Sequence, residues 1–532
     1  MARDVTESEP EVSRRTLLGA MGKVLTGAAL GLVGQAEAGQ QPQRGGILRI
    51  ATRSDAAGLD PHRHLCYPVS VPLAATMQGL LDLNLHAKPV PGVAAEWSAS
   101  NDLLTYTFKL RRGVQFHNGR SVDASAVRWN FTRMQDARTS HPFIRSALQN
   151  LKETEVVDKY TIRFHLHQPS AAFPANVVYY PCSLIAPDSD RQAHRRPIGC
   201  GPFRFVRWER NQLTELKRFE HYFETDATGN SLPYLEGMVG RPKHADHVRL
   251  MRLRSGQVDL IDTVAYADAG AFPTRYEGRF QTWDVPTLGT SYIVFNLDQG
   301  PFTDKRLRQA AAHAIDHDAI KRVVFYGRGE TATGFYASAS PWHAPRVKPW
   351  PAYDPDKAKF LLRQAKAVGT EVVLQSLRTS LYMQQTAALV QEMWSDVGFK
   401  VVHKIYDAPI LAHQRRTRAF HAESTAASYR FDPDGWFSRQ ILSTAASTQS
   451  ASGFRHEKAD TLIATARRTA DTRKRLELYA EIESLVNEAL PILYLHHLTL
   501  LEAGMMHLKS YQPAISGPFS TRGAGIRTAW LA

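Results

Sequence analysis

The alternation of polar and apolar residues along the chain predicts half-buried β-strands, and longer stretches with apolar residues at helical spacing predict amphipathic helices. The predicted strands are 47–51, 105–110, 160–166, 213–217 and 291–297. The predicted helices are 123–133, 304–326, 355–368, 382–397 and 473–489. Because strands and helices are intermixed from end to end, the pattern favours an α/β or α+β fold. The proline-rich stretch 334–355 is predicted to be a long surface or inter-domain loop.

The first forty residues have the pattern of an export signal. Two consecutive arginines, Arg14 and Arg15, precede an apolar run at 24–33, and small residues follow up to Ala38. This order is typical of a cleavable signal, and the arginine pair indicates twin-arginine translocation. An ordinary amphipathic helix that contains two arginines is the alternative interpretation. We expect a signal peptide over 1–38, cleaved near Ala38, and a periplasmic mature protein without a lipid anchor.

Length, charge and cysteine usage limit the class of protein. A chain of 532 residues is too long for one hydrophobic core and predicts two or more domains. The formal net charge of +14 is spread along the chain without a basic stripe interleaved with aromatic residues, which argues against nucleic-acid binding. Such a surface favours anionic ligands or acidic surfaces, or it keeps the protein soluble. A Cys182–Cys200 disulfide with Cys66 free and three buried thiols both fit the sequence.

The familiar catalytic and cofactor motifs do not occur in this sequence. We find no P-loop, no dinucleotide fingerprint between a strand and a helix, and no nucleophile elbow. Histidine pairs at His62 and His64, at His165 and His167, and at His496–His497 lack a carboxylate or cysteine at a matching spacing. We therefore predict no metal, no cofactor and no enzymatic activity, although an exported enzyme stays open as an alternative.

Six blocks of sequence together resemble one protein family. The second block reads LRRGVQFHNGR at its start, and the third contains Cys200 where that family usually has threonine. In chain order the blocks are 45–62, 110–134, 199–223, 252–262, 294–320 and 473–495. Their order and content resemble the family 5 extracellular solute-binding proteins, the peptide- and nickel-binding cluster. Six ordered blocks are far more specific than any single motif.

The resemblance implies an α/β, two-lobed periplasmic-binding-protein fold of type II, cluster C like, with an extra subdomain in the first lobe. It implies lobe I over 39–285, with an inserted subdomain at about 85–195, lobe II over 286–490, and a return to lobe I over 491–532. In such proteins the lobes close over a ligand by hinge bending. The closed form then delivers the ligand to an ABC permease and its ATPase subunits, and we expect a monomer.

Two segments, one after the first strand and one near Arg378, are predicted to line the cleft. His64 and Tyr67 lie in the loop after the first strand, where irregular backbone can present side chains to a ligand. Arg378 precedes a predicted helix, roughly where peptide-binding relatives have an arginine for the ligand carboxylate. A guanidinium suits that task because its fork binds both carboxylate oxygens. A surface arginine near a helix start is the alternative.

The third predicted segment runs from Tyr429 to Trp436. Peptide binders carry an aspartate about three residues before an Asp-Pro-Asp sequence to pair with the ligand ammonium, and here Tyr429 has that position. Asp432 or Asp434 could substitute, or they could form a turn that caps the next helix. Arg430 favours an anionic group, and Trp436 and Tyr429 could stack on an apolar part of the ligand.

Together these observations predict the binding component of an importer. We expect a small peptide or peptide-like ligand. A non-peptide anionic solute that is opine-like or sugar-phosphate-like, a metal chelate, and haem stay open as alternatives on the same fold.

Overall fold

The computed structural model describes residues 41–64, 74–243, 245–270, 272, 278–427, 430–513 and 523–532. Residues 1–38, where the sequence predicts a signal peptide, lie outside these ranges, as do Cys66, Tyr67 and Tyr429. The strands are β1 (Ile47–Thr52), β2 (Leu81–Leu83), β3 (Pro89–Pro91), β4 (Ala94–Ala99), β5 (Thr105–Leu110), β6 (Leu151–Asp158), β7 (Thr161–Leu166), β8 (Phe203–Glu209), β9 (Leu213–Arg218), β10 (Gly237–Pro242), β11 (Leu260–Ile261), β12 (Phe280–Phe295), β13 (Glu330–Thr331), β14 (Glu371–Leu377), β15 (Lys400–Tyr406), β16 (Ala422–Ala427), β17 (Ile492–Met505), β18 (Leu508–Lys509) and β19 (Trp530–Leu531).

The α-helices of the described residues are α1 (Ala124–Gln135), α2 (Pro142–Ala147), α3 (Phe173–Asn176), α4 (Asp246–Arg254), α5 (Tyr266–Ala269), α6 (Lys305–His313), α7 (His317–Val324), α8 (Pro355–Gln364), α9 (Leu381–Val397), α10 (Ala408–Thr417), α11 (Asp434–Gln440), α12 (Ala446–Ala451), α13 (Glu457–Arg467) and α14 (Thr472–Ala489). Among the described residues no helix is both long enough and apolar enough to cross a membrane.

One large mixed sheet of eleven strands organises the described residues. Its order is β15-β14-β16-β12-β17-β11-β1-β10-β9-β8, and β13 pairs with β17 beside this path. We call β11, β1, β10, β9 and β8 the N-terminal half-sheet, and β16, β14 and β15 the C-terminal half-sheet. Strands β12 and β17 lie between them and pair with each other in antiparallel fashion.

The β12–β17 ribbon connects the two half-sheets. Residues 280–286 pair with 499–505 beside the N-terminal half-sheet, and 290–294 pair with 492–497 beside the C-terminal half-sheet. Between Pro286 and Thr290 the register shifts, and the Thr287 hydroxyl donates to the Leu498 carbonyl at 2.8 Å. Regular strand pairing is therefore interrupted on β12 where the chain passes from one half-sheet to the other. The lobe boundaries derived from the sequence stay predictions.

A separate four-stranded antiparallel sheet, here called the small sheet, has the order β4-β5-β7-β6. Helix α1 packs on it because Phe131 meets Phe164 at 4.6 Å, and Phe164 meets Phe108 at 5.3 Å, between ring centroids. Asp123 begins this helix by accepting a hydrogen bond from the Ala126 amide, which satisfies a free donor of the first turn. The small sheet with α1 and α2 thus has an aromatic core of its own.

The structure corrects two predictions about the second half of the chain. The predicted single helix over 304–326 is two helices, α6 and α7, because Asp316 accepts a hydrogen bond from the Ala319 amide and starts a new helix. The stretch 334–355 is irregular as predicted, but it is not purely a surface loop. Phe335, Tyr336 and Trp350 are buried in the core that packs on the C-terminal half-sheet.

Candidate functional site

Polar and aromatic side chains converge on a cavity of about 380 Å³. One wall comes from α2 and the ends of the small-sheet elements, and the other comes from the segment 430–439 together with the end of α13. A volume in this range suits a small ligand or one end of a short peptide. The side chains that determine its character are Phe143, Tyr179, Arg430, Asp434, Arg439 and Arg467.

The aromatic wall of the cavity is fixed by the start of α2. His141 accepts a hydrogen bond from the Phe143 amide through Nδ1, and Pro142 occupies the first helical turn, where a missing N–H costs nothing. Phe143 meets Tyr179 edge to face at 5.3 Å, and Tyr179 in turn meets Phe431 at 4.7 Å. This chain of rings joins the small-sheet side of the cavity to the opposite wall.

The opposite wall is built on the Asp-Pro-Asp-Gly turn. Asp432 accepts a hydrogen bond from the Asp434 amide through Oδ1 at 2.9 Å, and its carbonyl accepts from the Gly435 amide at 3.0 Å. The turn leads directly into α11, which places Asp434 and Ser438 one helical turn apart. The turn interpretation of this sequence therefore describes the local backbone, but no side chain caps α11, whose N-cap position is Pro433.

Asp432 is bound inside the protein rather than directed into the cavity. Its carboxylate receives two hydrogen bonds from Arg475, at 2.6 and 2.8 Å, and the side chains of the pair are only 5% and 4% exposed. The Arg475 guanidinium also lies 5.0 Å from the centroid of the Trp342 ring. Burial lowers the pKa of Arg475 and the Asp432 carboxylate raises it, and the net direction is upward, so this guanidinium stays charged.

The charge balance at the cavity is positive. Asp434 is the one carboxylate among the lining residues, and it accepts a hydrogen bond from Arg467 Nε at 2.7 Å. Arg430 and Arg439 approach the same Phe143 ring, with their guanidinium carbons 5.6 and 5.4 Å from its centroid. Burial, and then the neighbouring charge of Arg430, lower the pKa of Arg439. The cavity can therefore offer cationic hydrogen-bond donors to an anionic group.

The other predicted site residues lie outside this cavity. The Trp436 ring is fully buried, stacked on Phe335 at 3.9 Å, and its Nε1 donates to the Tyr494 hydroxyl at 3.0 Å. Arg378 is exposed beside α9; its Nε lies 3.2 Å from an Asp407 oxygen and its Nη2 donates to the Ile405 carbonyl.

His64 is half-buried, with its ring packed over Gly58. Burial is the main cause of its lowered pKa, against the opposing effect of the Asp60 charge. Of the eight predicted site residues, the structure brings Arg430 and Asp434 to the cavity. Tyr67 and Tyr429 lie outside the described residues.

Within the described ranges, no three histidine, cysteine or acidic side chains are grouped so that they could hold a metal ion. Cys182 and Cys200 are free, buried thiols, and burial raises the pKa of each to about 12. The sequence allowed either a Cys182–Cys200 disulfide or buried thiols, and in the structure the disulfide is not formed.

Sequence reasoning missed four of the six residues that determine the character of the cavity. Arg439 lies five residues after Asp434 on the same short helix, so its proximity had a local signal in the sequence. Phe143, Tyr179 and Arg467 had none, because they reach the cavity from α2, from the chain that follows α3 and from the end of α13. Their contribution depends on how the small sheet meets the helices of the second half.

Comparison with known proteins identifies the family. The family described as bacterial extracellular solute-binding proteins, family 5 Middle, matches residues 88–449. The glutathione-binding protein GsiB of Pectobacterium atrosepticum is 27% identical over 487 residues, covering 87% of this chain and 90% of that protein. GsiB of Escherichia coli O157:H7 is 26% identical over 460 residues, covering 83% and 87%.

Solved structures agree on the fold. The periplasmic binding protein DppA of Helicobacter pylori, in complex with the peptide STSA, superposes with a TM-score of 0.77 at 22% identity, over 92% of this chain and 98% of that chain. The binding protein AgaA of A. tumefaciens R10, in complex with agropinic acid, gives 0.76 at 21% identity, over 92% and 99%. The fold is thus that of the type II periplasmic binding proteins, and this chain belongs to the bacterial extracellular solute-binding proteins of family 5.

Proposed function

We propose that this protein is the solute-binding component of an ABC importer and captures a small peptide or peptide-like solute. The observation that carries the proposal is the cavity at the junction of the small sheet and α11, because residues from both sides contribute its aromatic and charged groups. Family membership and the names of the GsiB relatives support the class of ligand. In this function the protein binds and releases its ligand, and no covalent bond is broken.

The β12–β17 ribbon supports the proposed mode of action. Its register break between Pro286 and Thr290 lies where the chain passes between the half-sheets, and few residues need to change conformation for a hinge to bend there. We propose that ligand binding closes lobe I (39–285 with 491–532) over lobe II (286–490). The closed form would then engage a permease and its ATPase subunits.

The cellular setting follows from the N-terminal pattern. We propose that residues 1–38 direct twin-arginine export, that cleavage occurs near Ala38, and that the mature protein acts as a monomer in the periplasm. His64, Tyr67, Arg378 and Tyr429 stay proposed ligand contacts, brought to the cleft when the lobes close.

A thermal-shift panel tests this function. Full-length exported protein is heated with glutathione, with neutral and acidic di- to tetrapeptides, and with an opine and a sugar phosphate as non-peptide anions. A ligand at a hundred times its Kd stabilises the folded state by about 2.7 kcal/mol, which raises the melting temperature measurably. We expect shifts with peptides. Shifts with the non-peptide anions alone would refute the peptide assignment. If no compound of the panel shifts the melting temperature, the proposal that the protein captures such solutes is refuted.

A further inference from the structure

The two arginines on the Phe143 ring, with the space beside them, form a feature that we call the two-arginine cavity. Arg430 and Arg439 lie 5.6 and 5.4 Å from the ring centroid, so two like charges share one aromatic partner in a partly desolvated place. Like charges that are brought together away from water repel each other more strongly than they do at the surface. This repulsion must be compensated, either by an anion that binds between the arginines or by other contacts of the folded protein.

Buried arginines among the described residues are met by a carboxylate or by backbone carbonyls. Arg133 donates to Asp60 at 2.6 Å, and Arg475 donates to Asp432 at 2.6 Å. Arg308 donates instead to backbone carbonyls. Each of these arrangements compensates the cost of removing a guanidinium from water.

Arg439 departs from this pattern. Among the described residues, its side chain contacts the Phe143 ring and the Ser146 hydroxyl, which lies 3.5 Å from Nη1 and is at the limit of a hydrogen bond. Its Nε is buried and has no hydrogen-bond partner among the described residues. A buried charged donor without a partner is costly, and a ligand oxygen would remove that cost.

Asp434 does not fill this role. Its carboxylate accepts hydrogen bonds from Arg467 and from the Ser438 hydroxyl, both on its own side of the cavity. With Arg467 balanced in this way, Arg439 has no carboxylate in contact among the described residues. The cavity beside Arg439 therefore favours an oxyanion that can accept from a guanidinium fork.

We propose that the two-arginine cavity receives the side-chain carboxylate of an acidic peptide, so that this protein selects acidic peptides over neutral peptides of the same shape. This inference rests on the proposed function and names its ligand class. The peptide backbone binds in the cleft, and the extra carboxylate accepts hydrogen bonds from Arg439 beside the Phe143 ring. Arg378 is not needed for this selectivity, because it lies at the exposed start of α9 with Asp407 in contact.

The test uses pairs of peptides that differ only in charge. Ala-Glu is compared with Ala-Gln, and Ala-Asp with Ala-Asn, by isothermal titration calorimetry on the full chain. A charged hydrogen bond contributes about 1.5–3 kcal/mol, which corresponds to about ten- to a hundred-fold in Kd. We expect the acidic member of each pair to bind about ten-fold tighter or more in the wild type.

Variants assign that preference to the cavity. Arg439→Gln should bring the ratio of the two Kd values close to one, and Arg439→Lys should retain part of the preference because the charge stays while the fork is lost. Arg363→Gln is the matched control, since it removes one positive charge from an exposed position on α8 and should leave the ratio unchanged. The ratio does not depend on the fraction of folded protein, so a less stable variant still gives a valid result.

The outcomes separate this inference from the proposed function. Equal affinity for acidic and neutral peptides in the wild type, or an unchanged preference in Arg439→Gln, would overturn the inference and leave peptide capture intact. If no peptide binds, peptide capture and the inference both fail. If succinate or inorganic phosphate binds in an Arg439-dependent manner while peptides do not, the cavity takes a free oxyanion, and the peptide source is overturned.

Discussion

The Asp432–Arg475 ion pair gives the sharpest prediction about how the candidate site is held together. In the wild type, two hydrogen bonds of 2.6 and 2.8 Å join side chains that are almost completely buried. Asp432→Asn keeps the shape of the side chain and removes its charge, so the Arg475 guanidinium stays buried without an anion. Breaking a buried pair in this way costs about 3–5 kcal/mol of folding free energy.

A surface pair provides the matched control. Lys109 and Glu96 also lie 2.6 Å apart, but their side chains are 65% and 62% exposed. Exposed pairs of this kind contribute about 0–1 kcal/mol, because water screens the charges and the side chains lose entropy when they pair. Glu96→Gln should therefore change stability very little, although the distance between the charged atoms is the same.

The assay is urea unfolding of both variants and of the wild type, without added ligand. We expect a clearly lower midpoint for Asp432→Asn and an unchanged midpoint for Glu96→Gln. If Asp432→Asn unfolds at the same urea concentration as the wild type, then Asp432 does not support the fold. This result would favour the alternative interpretation of the sequence, in which the Asp432 carboxylate pairs with the ammonium group of the ligand.

Three further predictions concern other parts of the chain. Burial raises the pKa of Glu502 from its ordinary 4.5 to about 8. Between these two pH values the folded protein keeps a proton that the unfolded chain loses, so the free energy of unfolding falls as pH rises. Glu502→Gln should therefore have a higher melting temperature than the wild type at pH 9, and the difference between the two proteins should be smaller at pH 4. The same difference in melting temperature at both pH values would refute this. Cys182 and Cys200 should react with a thiol reagent only after unfolding, because both thiols are buried with a pKa raised to about 12, and rapid reaction of native protein would contradict it. Gly199→Ala should lower the melting temperature, because the added Cβ would lie 2.0 Å from a backbone oxygen. Gly270→Ala is the control, since no atom lies within 4 Å of the added Cβ and the melting temperature should not change. Equal shifts in the two variants would refute the packing argument.

The sequence predicted the local elements well where one signal dominated. The helix predicted over 123–133 is α1, which Asp123 caps, and the alternating stretch at 105–110 is a strand of the small sheet. The break between α6 and α7 was missed, although Asp316 carried the signal. The apolar periodicity across 304–326 predicted one continuous helix, and a single capping residue did not change that prediction. In the structure the side chain of Asp316 accepts a hydrogen bond from the Ala319 amide, and this bond decides where the second helix begins.

The cavity was predicted only in part, for a physical reason. Arg430 and Asp434 lie near the family's Asp-Pro-Asp sequence and could be selected from the chain alone. Phe143 could not, since it lies nearly three hundred residues away and reaches the cavity through tertiary packing. The role of Asp432 was undecided for the same reason, because its partner Arg475 lies 43 residues further along the chain.

Native mass spectrometry of the exported protein tests the central claim most directly. The protein is measured as purified and again after mild unfolding and refolding, because a tightly bound solute stabilises the folded state and is carried through purification. The account predicts a released mass that matches a small peptide with a carboxylate side chain, and its return when that peptide is added back. A released metal, haem or non-peptide solute that rebinds in its place would contradict the account.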